Sequence, residues 1–113
     1  MTFCANLAVP DGRAAIAFYE TTFGATARIQ AEDPSGAVVA RVAVGGSEFW
    51  ISSGADARRV RLIVITDDPA AVHARALAAG ASEVHGVSER YGWTLARFVD
   101  PFGHDWEVGH PLP

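Results

Sequence analysis

The chain has 113 residues, half of them hydrophobic, and a formal net charge of −4; this length supplies one hydrophobic core and excludes two full domains. It has no basic run and no stretch of roughly 18 apolar residues, so neither nucleic acid nor a membrane is expected as a partner. The single cysteine, Cys4, excludes an internal disulfide, and no signal peptide is recognisable. A cytoplasmic location is therefore expected.

The first half of the chain predicts one strand, one helix and three further strands. A strand is predicted over residues 3–9, followed by a helix with Asp11 suited to cap its amino end and Gly24 its carboxyl end. Apolar runs separated by Asp-Pro-Ser-Gly and Gly-Gly turns then predict strands over residues 25–32, 38–44 and 48–53.

The second half predicts the same order. Residues 60–66 form an unbroken run rich in β-branched residues, which is typical of a strand covered on both faces. A helix is predicted to begin after Asp67 or Asp68 and to end at Gly80. Three strands are predicted after it, over residues 82–87, 94–99 and 105–110, joined by residues 88–93 and by the type I turn Asp100-Pro101-Phe102-Gly103.

The two halves are predicted to be copies of one module. Residues 9–26 align with residues 65–82, and Arg41 and Arg97 fall at equivalent points. The predicted fold is α+β, a single domain of two tandem βαβββ modules, about residues 1–53 and 60–113, joined by residues 54–59. Because each module has one helix to cover one sheet face, we expect a cup-shaped, partly closed eight-stranded sheet with a concave site between the modules.

This duplicated order, with VPDGRAAIAFYETTFGA near the start and YGWTLARFVDPFGHDWEV near the end, resembles the vicinal oxygen chelate superfamily. That superfamily includes glyoxalase I, extradiol dioxygenases, fosfomycin-resistance enzymes and bleomycin-binding proteins. The resemblance covers essentially the whole chain. It implies a homodimer, and a site where the enzymes of the superfamily hold a divalent metal with His, Glu or Gln from the first and last strands of each module.

The four metal-ligand positions that the resemblance implies fall on Cys4, Trp50, Arg61 and Glu107. Arginine has no lone pair to donate to a metal, and tryptophan offers only an indole N–H. Cysteine and glutamate alone would be a poor site for the hard metals of this superfamily. No metal or other cofactor is therefore expected, and a divalent metal would require a strand register that differs by one residue.

Two of the four histidines, His73 and His104, are not expected to replace the missing metal ligands. His104 and Glu107 are three residues apart on a predicted strand, so they point to opposite faces. His104 is expected to be structural, at the end of the hairpin, and His73 to lie on a solvated helix face. A ligand role for His85 or His110 stays open.

The predicted function is binding of a small molecule, such as a drug or an aromatic metabolite, without a metal. This is similar to the bleomycin-binding, antibiotic-resistance branch of the superfamily. An Arg61–Glu107 ion pair is predicted to replace the metal as the polar centre of the cup, with Tyr91 and Trp93 on a loop at its rim. The predicted ligand-binding residues share the cup interior or its rim: Cys4, Asn6, Trp50, Ser52, Arg61, Ile63, Trp93 and Glu107, with Ala8 beside them.

Three alternatives stay open. A divalent-metal-dependent lyase, isomerase or dioxygenase would use Glu107 as a metal ligand or general base. Cys4 could act as a nucleophile, although no histidine lies beside it in sequence. A structural or partner-binding domain would use the exposed strand edges, which also favour the expected homodimer.

Overall fold

The computed structural model describes residues 4–54 and 59–113 of a chain that divides into two compact units, residues 1–58 and 59–113. The described part of the first unit contains β1 (Asn6–Val9), α1 (Gly12–Phe23), β2 (Thr26–Glu32), β3 (Val38–Val44) and β4 (Ser47–Ser53). The second unit contains β5 (Arg61–Ile65), α2 (Pro69–Ala78), β6 (Ser82–Arg90), β7 (Trp93–Val99) and β8 (Asp105–Pro111). Neither of the helices described is long and apolar enough to cross a membrane.

Each unit contains one four-stranded sheet. The strand order is β1-β4-β3-β2 in the first sheet and β5-β8-β7-β6 in the second. Strand β1 runs parallel to its neighbour β4, and β5 runs parallel to its neighbour β8. The remaining neighbouring pairs are antiparallel. The α+β class and the repeated βαβββ order are confirmed, with the described strands divided between two sheets. That the units form one domain stays a prediction, and residues 55–58 of the predicted joint lie outside the described residues.

Helix α1 covers one face of the first sheet. Its N-cap Asp11 accepts a hydrogen bond from the Ala14 N–H at 3.1 Å. Gly24 ends the helix in the left-handed conformation, with φ of 68°. Both predicted caps are confirmed, and between them Phe18 and Tyr19 are buried.

Helix α2 begins at Pro69, after the N-cap Asp68, and packs on the second sheet. His73 lies on the buried face of this helix with only 4% of its surface exposed, so the prediction that it is solvated is wrong. Its Nε2 lies 2.8 Å from the Glu83 carboxylate on β6, and its ring centre lies 5.9 Å from that of Phe98. The neighbouring strand thus supplies the polar partner that a buried imidazole requires.

The second sheet is covered by a helix on one face only. Phe98, Trp106 and Val108 lie on the covered face and are buried, whereas Ile63 and Ile65 on the open face are 64% and 66% exposed. The prediction that this first strand of the second unit is covered on both faces is therefore wrong. Its apolar run alternates between covered and open positions, as successive side chains of a strand must.

The connection between β6 and β7 is shorter than predicted. Strand β6 continues to Arg90 and β7 begins at Trp93, so Tyr91 and Gly92 alone replace the predicted six-residue connection. Both residues have positive φ, 54° and 77°, which is the type I′ geometry of a two-residue hairpin. The end of β6 is polar and lacks the apolar alternation that marks a strand, which is why its sequence predicts a loop.

The turn between β7 and β8 is built around the buried carboxylate of Asp100. Its Oδ1 accepts hydrogen bonds from the backbone N–H groups of Phe102 and His104 at 2.9 and 3.0 Å. Its Oδ2 accepts one from the Trp106 indole N–H at 2.8 Å. The Gly103 N–H donates to the Asp100 carbonyl at 3.1 Å, which confirms the predicted turn. One carboxylate therefore fixes both the turn and the first residues of β8.

His104 links this turn to the start of β5. The residue is fully buried, and its Nδ1 accepts a hydrogen bond from the Val60 N–H at 3.1 Å. The next residue, Asp105, donates its backbone N–H to the Val60 carbonyl at 3.0 Å. The prediction that His104 is structural is confirmed.

Replacing Asp100 with Ala should lower the free energy of unfolding by about 3 kcal/mol, because buried N–H donors lose a charged acceptor. Asp33→Ala is the matched control, since Asp33 opens a turn of the same Asp-Pro-X-Gly pattern after β2 and its carboxylate accepts from the Ser35 and Ala37 N–H groups while exposed to water. Urea unfolding followed by circular dichroism should show a much smaller loss for the control. Equal losses of unfolding free energy in the two variants would show that burial of the Asp100 carboxylate does not increase its contribution to stability.

Candidate functional site

The strand ladders define equivalent positions on the open faces of the two sheets. Asn6 pairs with Trp50 in the first sheet, and Ile63 pairs with Glu107 in the second. Arg41 lies opposite Trp50, and Arg97 lies opposite Glu107. The sequence alignment of Trp50 with Glu107, and of Arg41 with Arg97, therefore agrees with the ladders.

The open face of the first sheet is polar and aromatic. The Ser52 hydroxyl donates a hydrogen bond to Asn6 Oδ1 at 3.0 Å. Arg41 forms an ion pair with Glu48 at 2.6 Å, and its guanidinium carbon lies 5.6 Å from the centre of the Trp50 ring. Cys4 precedes β1 and is exposed.

The open face of the second sheet forms a concavity of about 700 Å³, called here the second-sheet concavity. It extends across all four strands and the hairpin between β6 and β7. Its lining residues all belong to the second unit: Arg61, Ile63, Ile65, His85, Arg90, Tyr91, Trp93, Leu95, Arg97, Glu107 and Gly109.

Apolar side chains from two strands form much of this lining. Ile63 and Ile65 come from β5, and Trp93 and Leu95 come from β7. Gly109 on β8 lies close to the Trp93 ring, because a Cβ at this position would be 3.4 Å from the ring and 3.1 Å from a backbone carbonyl oxygen. The absence of a side chain at Gly109 therefore lets the indole approach the sheet.

Two ion pairs lie on this open face. Arg61 Nη2 lies 3.3 Å from Glu107 Oε1, so the ion pair predicted between them is present. Arg97 donates to both carboxylate oxygens of Asp105, through Nε at 2.8 Å and Nη2 at 2.6 Å. These hydrogen bonds hold the pKa of Asp105 below its ordinary value. The pair therefore stabilises the fold above the ordinary pKa of an aspartate, and this contribution is lost as acidification passes the lowered pKa.

The structure brings four of the predicted ligand-binding residues to this concavity: Arg61, Ile63, Trp93 and Glu107. The others, Asn6, Trp50 and Ser52 on the first sheet and Cys4 before it, belong to the first unit. Sequence reasoning did not assign a binding role to Ile65, Arg90, Leu95, Arg97 or Gly109. Alternation could have found four of them, because each lies two or four residues from a predicted site residue on its own strand: Ile65, Leu95, Arg97 and Gly109. Arg90 has no predicted site residue on its strand, so alternation gives no signal for it.

The residues at the four implied metal-ligand positions do not fit a divalent metal. Arg61 brings a positive charge within 3.3 Å of Glu107, the one carboxylate among the four. Within residues 4–54 and 59–113, no group of three or more His, Cys, Asp or Glu side chains is arranged to hold a metal ion. His110 lies 3.2 Å from Asp67, and His85 lies among the lining of the concavity.

Solved structures share this fold over almost the whole chain. TioX from Micromonospora sp. ML1 is 23% identical, with a TM-score of 0.76 and 99% of each chain covered. A glyoxalase/bleomycin resistance protein/dioxygenase family enzyme from Burkholderia phytofirmans PsJN is 21% identical, with a TM-score of 0.78 and 96% of each chain covered. FosX from Listeria monocytogenes, a fosfomycin resistance protein complexed with Mn(II) and sulfate, is 16% identical, with a TM-score of 0.73 over 97% of this chain and 91% of that chain. At these identities the likeness shows the fold alone.

The family is shown by the sequence itself. No curated protein matches the chain. The model of the family described as a glyoxalase-like domain, however, matches residues 3–109. The chain therefore belongs to the glyoxalase-like domain family.

Proposed function

We propose that this protein binds a flat, largely apolar organic molecule, such as a drug or an aromatic metabolite, without a metal. The observation that carries this proposal is the second-sheet concavity, whose volume of about 700 Å³ is that of a small-molecule site. Ile63 and Ile65 expose about two thirds of their surface there. A bound apolar ligand would remove this surface from water, which is a favourable change.

The residues proposed to hold the ligand have different roles. Ile63 and Trp93 supply apolar contact, and the indole can stack on a flat ring. Arg61 and Glu107 form the polar centre, where their ion pair limits the cost of burying either charge under a ligand. Asn6, Trp50 and Ser52, with Cys4, remain proposed ligand contacts of the first unit.

Tyr91 supports the same proposal because its exposure to water and its backbone conformation are both unfavourable for the stability of the protein without a ligand. It is 94% exposed, and its φ of 54° is a left-handed conformation that bulky residues avoid. Glycine, asparagine and aspartate are the residues that favour this turn position. An aromatic side chain that lines the concavity and destabilises its own turn is explained by contact with a ligand.

Fluorescence titration with N-phenylnaphthylamine, an uncharged flat aromatic probe, tests the proposed site. We expect saturable binding, and Trp93→Ala should weaken it by roughly tenfold or more, since it removes the largest apolar contact. Val84→Ala is the control, because Val84 is an exposed apolar residue of the same sheet that does not line the concavity. Equal affinities for wild type and Trp93→Ala would place the probe elsewhere and contradict the proposal.

The alternative is a divalent-metal-dependent lyase, isomerase or dioxygenase. The same protein, purified without chelator, distinguishes it by metal analysis and by thermal shift with Mn, Fe, Co, Ni and Zn ions. Our proposal predicts no stoichiometric metal and no stabilisation. One bound metal per chain with a matching stabilisation would support the enzyme instead, because selective binding to the folded state must raise stability.

Tyr91→Asn should separate stability from binding. The substitution relieves the left-handed strain, so we expect the free energy of unfolding to rise by roughly 1 kcal/mol. It also removes the ring, so N-phenylnaphthylamine affinity should fall. Tyr91→Phe keeps both the ring and the strain, and its binding and stability should match wild type. A Tyr91→Asn variant that is more stable and binds equally well would show that the ring does not contact the ligand.

We propose further that the chain forms a homodimer. Strand β6 is an edge of the second sheet, and Val84 and Val87 on it are both exposed. An exposed edge strand that carries apolar side chains favours pairing with another chain. Sedimentation equilibrium should therefore give twice the mass of one chain, and a double Val84→Lys, Val87→Lys variant should sediment as a monomer. Monomeric wild-type protein would refute the dimer without affecting the binding proposal.

A further inference from the structure

We propose that the ligand of the second-sheet concavity carries a negative charge, and that Arg90 binds this charge beside the aromatic ring held by Trp93. This inference rests on the proposed binding function and adds the chemical class of the ligand: an aromatic carboxylate, sulfonate or phosphate. It follows from how the charges of the lining are distributed and from which of them are already paired.

The lining of the concavity is positive although the chain is acidic. Arg61, Arg90 and Arg97 line it, with Glu107 as the one acidic side chain among the lining residues of the described second unit. The chain as a whole has a net charge of −4. A local excess of positive charge attracts anions to that place even on a protein that is acidic overall.

The three arginines are not equally available. Arg97 donates to both oxygens of Asp105, so its guanidinium is already engaged. Arg61 is paired with Glu107. The ion pairs found among residues 4–54 and 59–113 do not include Arg90, which is exposed at the end of β6. Its guanidinium can therefore donate two parallel hydrogen bonds to a bound oxyanion without breaking an existing ion pair.

The position of Arg90 places this charge beside the aromatic part of the site. Arg90 and Trp93 are directly paired across the hairpin, with Tyr91 in the turn between them. The Leu112 N–H donates to the Gly92 carbonyl at 2.8 Å, which ties the turn to the end of the chain. If a flat ring of the ligand contacts Trp93, a charged substituent on that ring can therefore lie next to Arg90.

A cationic ligand is disfavoured by the same contacts. Its partner would have to be Glu107, because Asp105 is buried and held by Arg97. Glu107 is already paired with Arg61, and its side chain is only 24% exposed. A cation bound at Glu107 would compete with Arg61 for the same carboxylate and bring two positive charges together, whereas an anion bound at Arg90 disturbs no ion pair.

Two probes with the same ring system test this inference: anilinonaphthalenesulfonate, which is an anion, and N-phenylnaphthylamine, which lacks the sulfonate. We expect wild-type protein to bind the anion roughly tenfold more tightly, as expected for one charge-assisted pair. Arg90→Gln should remove this preference and leave N-phenylnaphthylamine affinity within about twofold, while Arg90→Lys should keep part of it. Added NaCl should weaken only the anionic probe.

Arg75→Gln is the matched control, because it removes one positive charge from helix α2, outside the concavity. It should change neither affinity, and melting curves should show that all variants fold. If the two probes bind wild-type protein equally, or if Arg90→Gln leaves the preference for the anion intact, the charge inference is wrong and the binding site stands. If neither probe binds, the proposed function itself fails.

Discussion

The structure depends on one constraint: among the described residues, each four-stranded sheet has a single helix with which to cover its two faces. In the second unit, α2 covers the face that carries Phe98, Trp106 and Val108, which are buried. The alternation of side chains along each strand then sends every second residue to the other face. Ile63, Ile65 and the other strand residues of the lining therefore lie on the uncovered face, where they form the second-sheet concavity.

The duplicated fold keeps one interaction in both units and changes the residue beside it. Arg41 pairs with Glu48 in the first unit, and Arg97 pairs with Asp105 at the equivalent place in the second. The strand position opposite each arginine holds Trp50 in one unit and Glu107 in the other. Two copies of one scaffold therefore present an indole at this position in one unit and a carboxylate in the other, and the chemistry of the site lies in the residues that differ.

Much of the fold could be predicted from the sequence, because the signals are local. Strand β3 has the predicted bounds, and the caps at Asp11 and Gly24 and the Asp100 turn lie where their side chains and φ preferences place them. His73 was predicted wrongly because its partner, Glu83, comes from another element and leaves no mark in the helix sequence. Burial of a polar residue is a property of the packed structure.

The candidate site was only partly predictable for a related reason. The resemblance implied that Arg61 and Glu107 occupy metal-ligand positions, and alternation added Ile63 to the same face, which required only the register of neighbouring strands. Arg90 was missed because the polar end of β6 gives no apolar periodicity, so its sequence predicts a loop. The tight turn that places Arg90 opposite Trp93 depends on Tyr91 adopting a conformation that its residue type disfavours. The conformational preferences of residue types cannot predict a turn in which a residue adopts a conformation that its type disfavours.

The most direct test of a metal-free binding site on the second sheet is the indole N–H region of the ¹H–¹⁵N spectrum during titration with N-phenylnaphthylamine. Trp93 lines the concavity, whereas the buried Trp106 indole donates to Asp100 on the covered face. Each peak can be assigned with the corresponding Trp→Phe variant. We expect a saturable shift of the Trp93 peak while the Trp106 peak stays in place. A Trp93 peak that does not move when the probe is bound would contradict it.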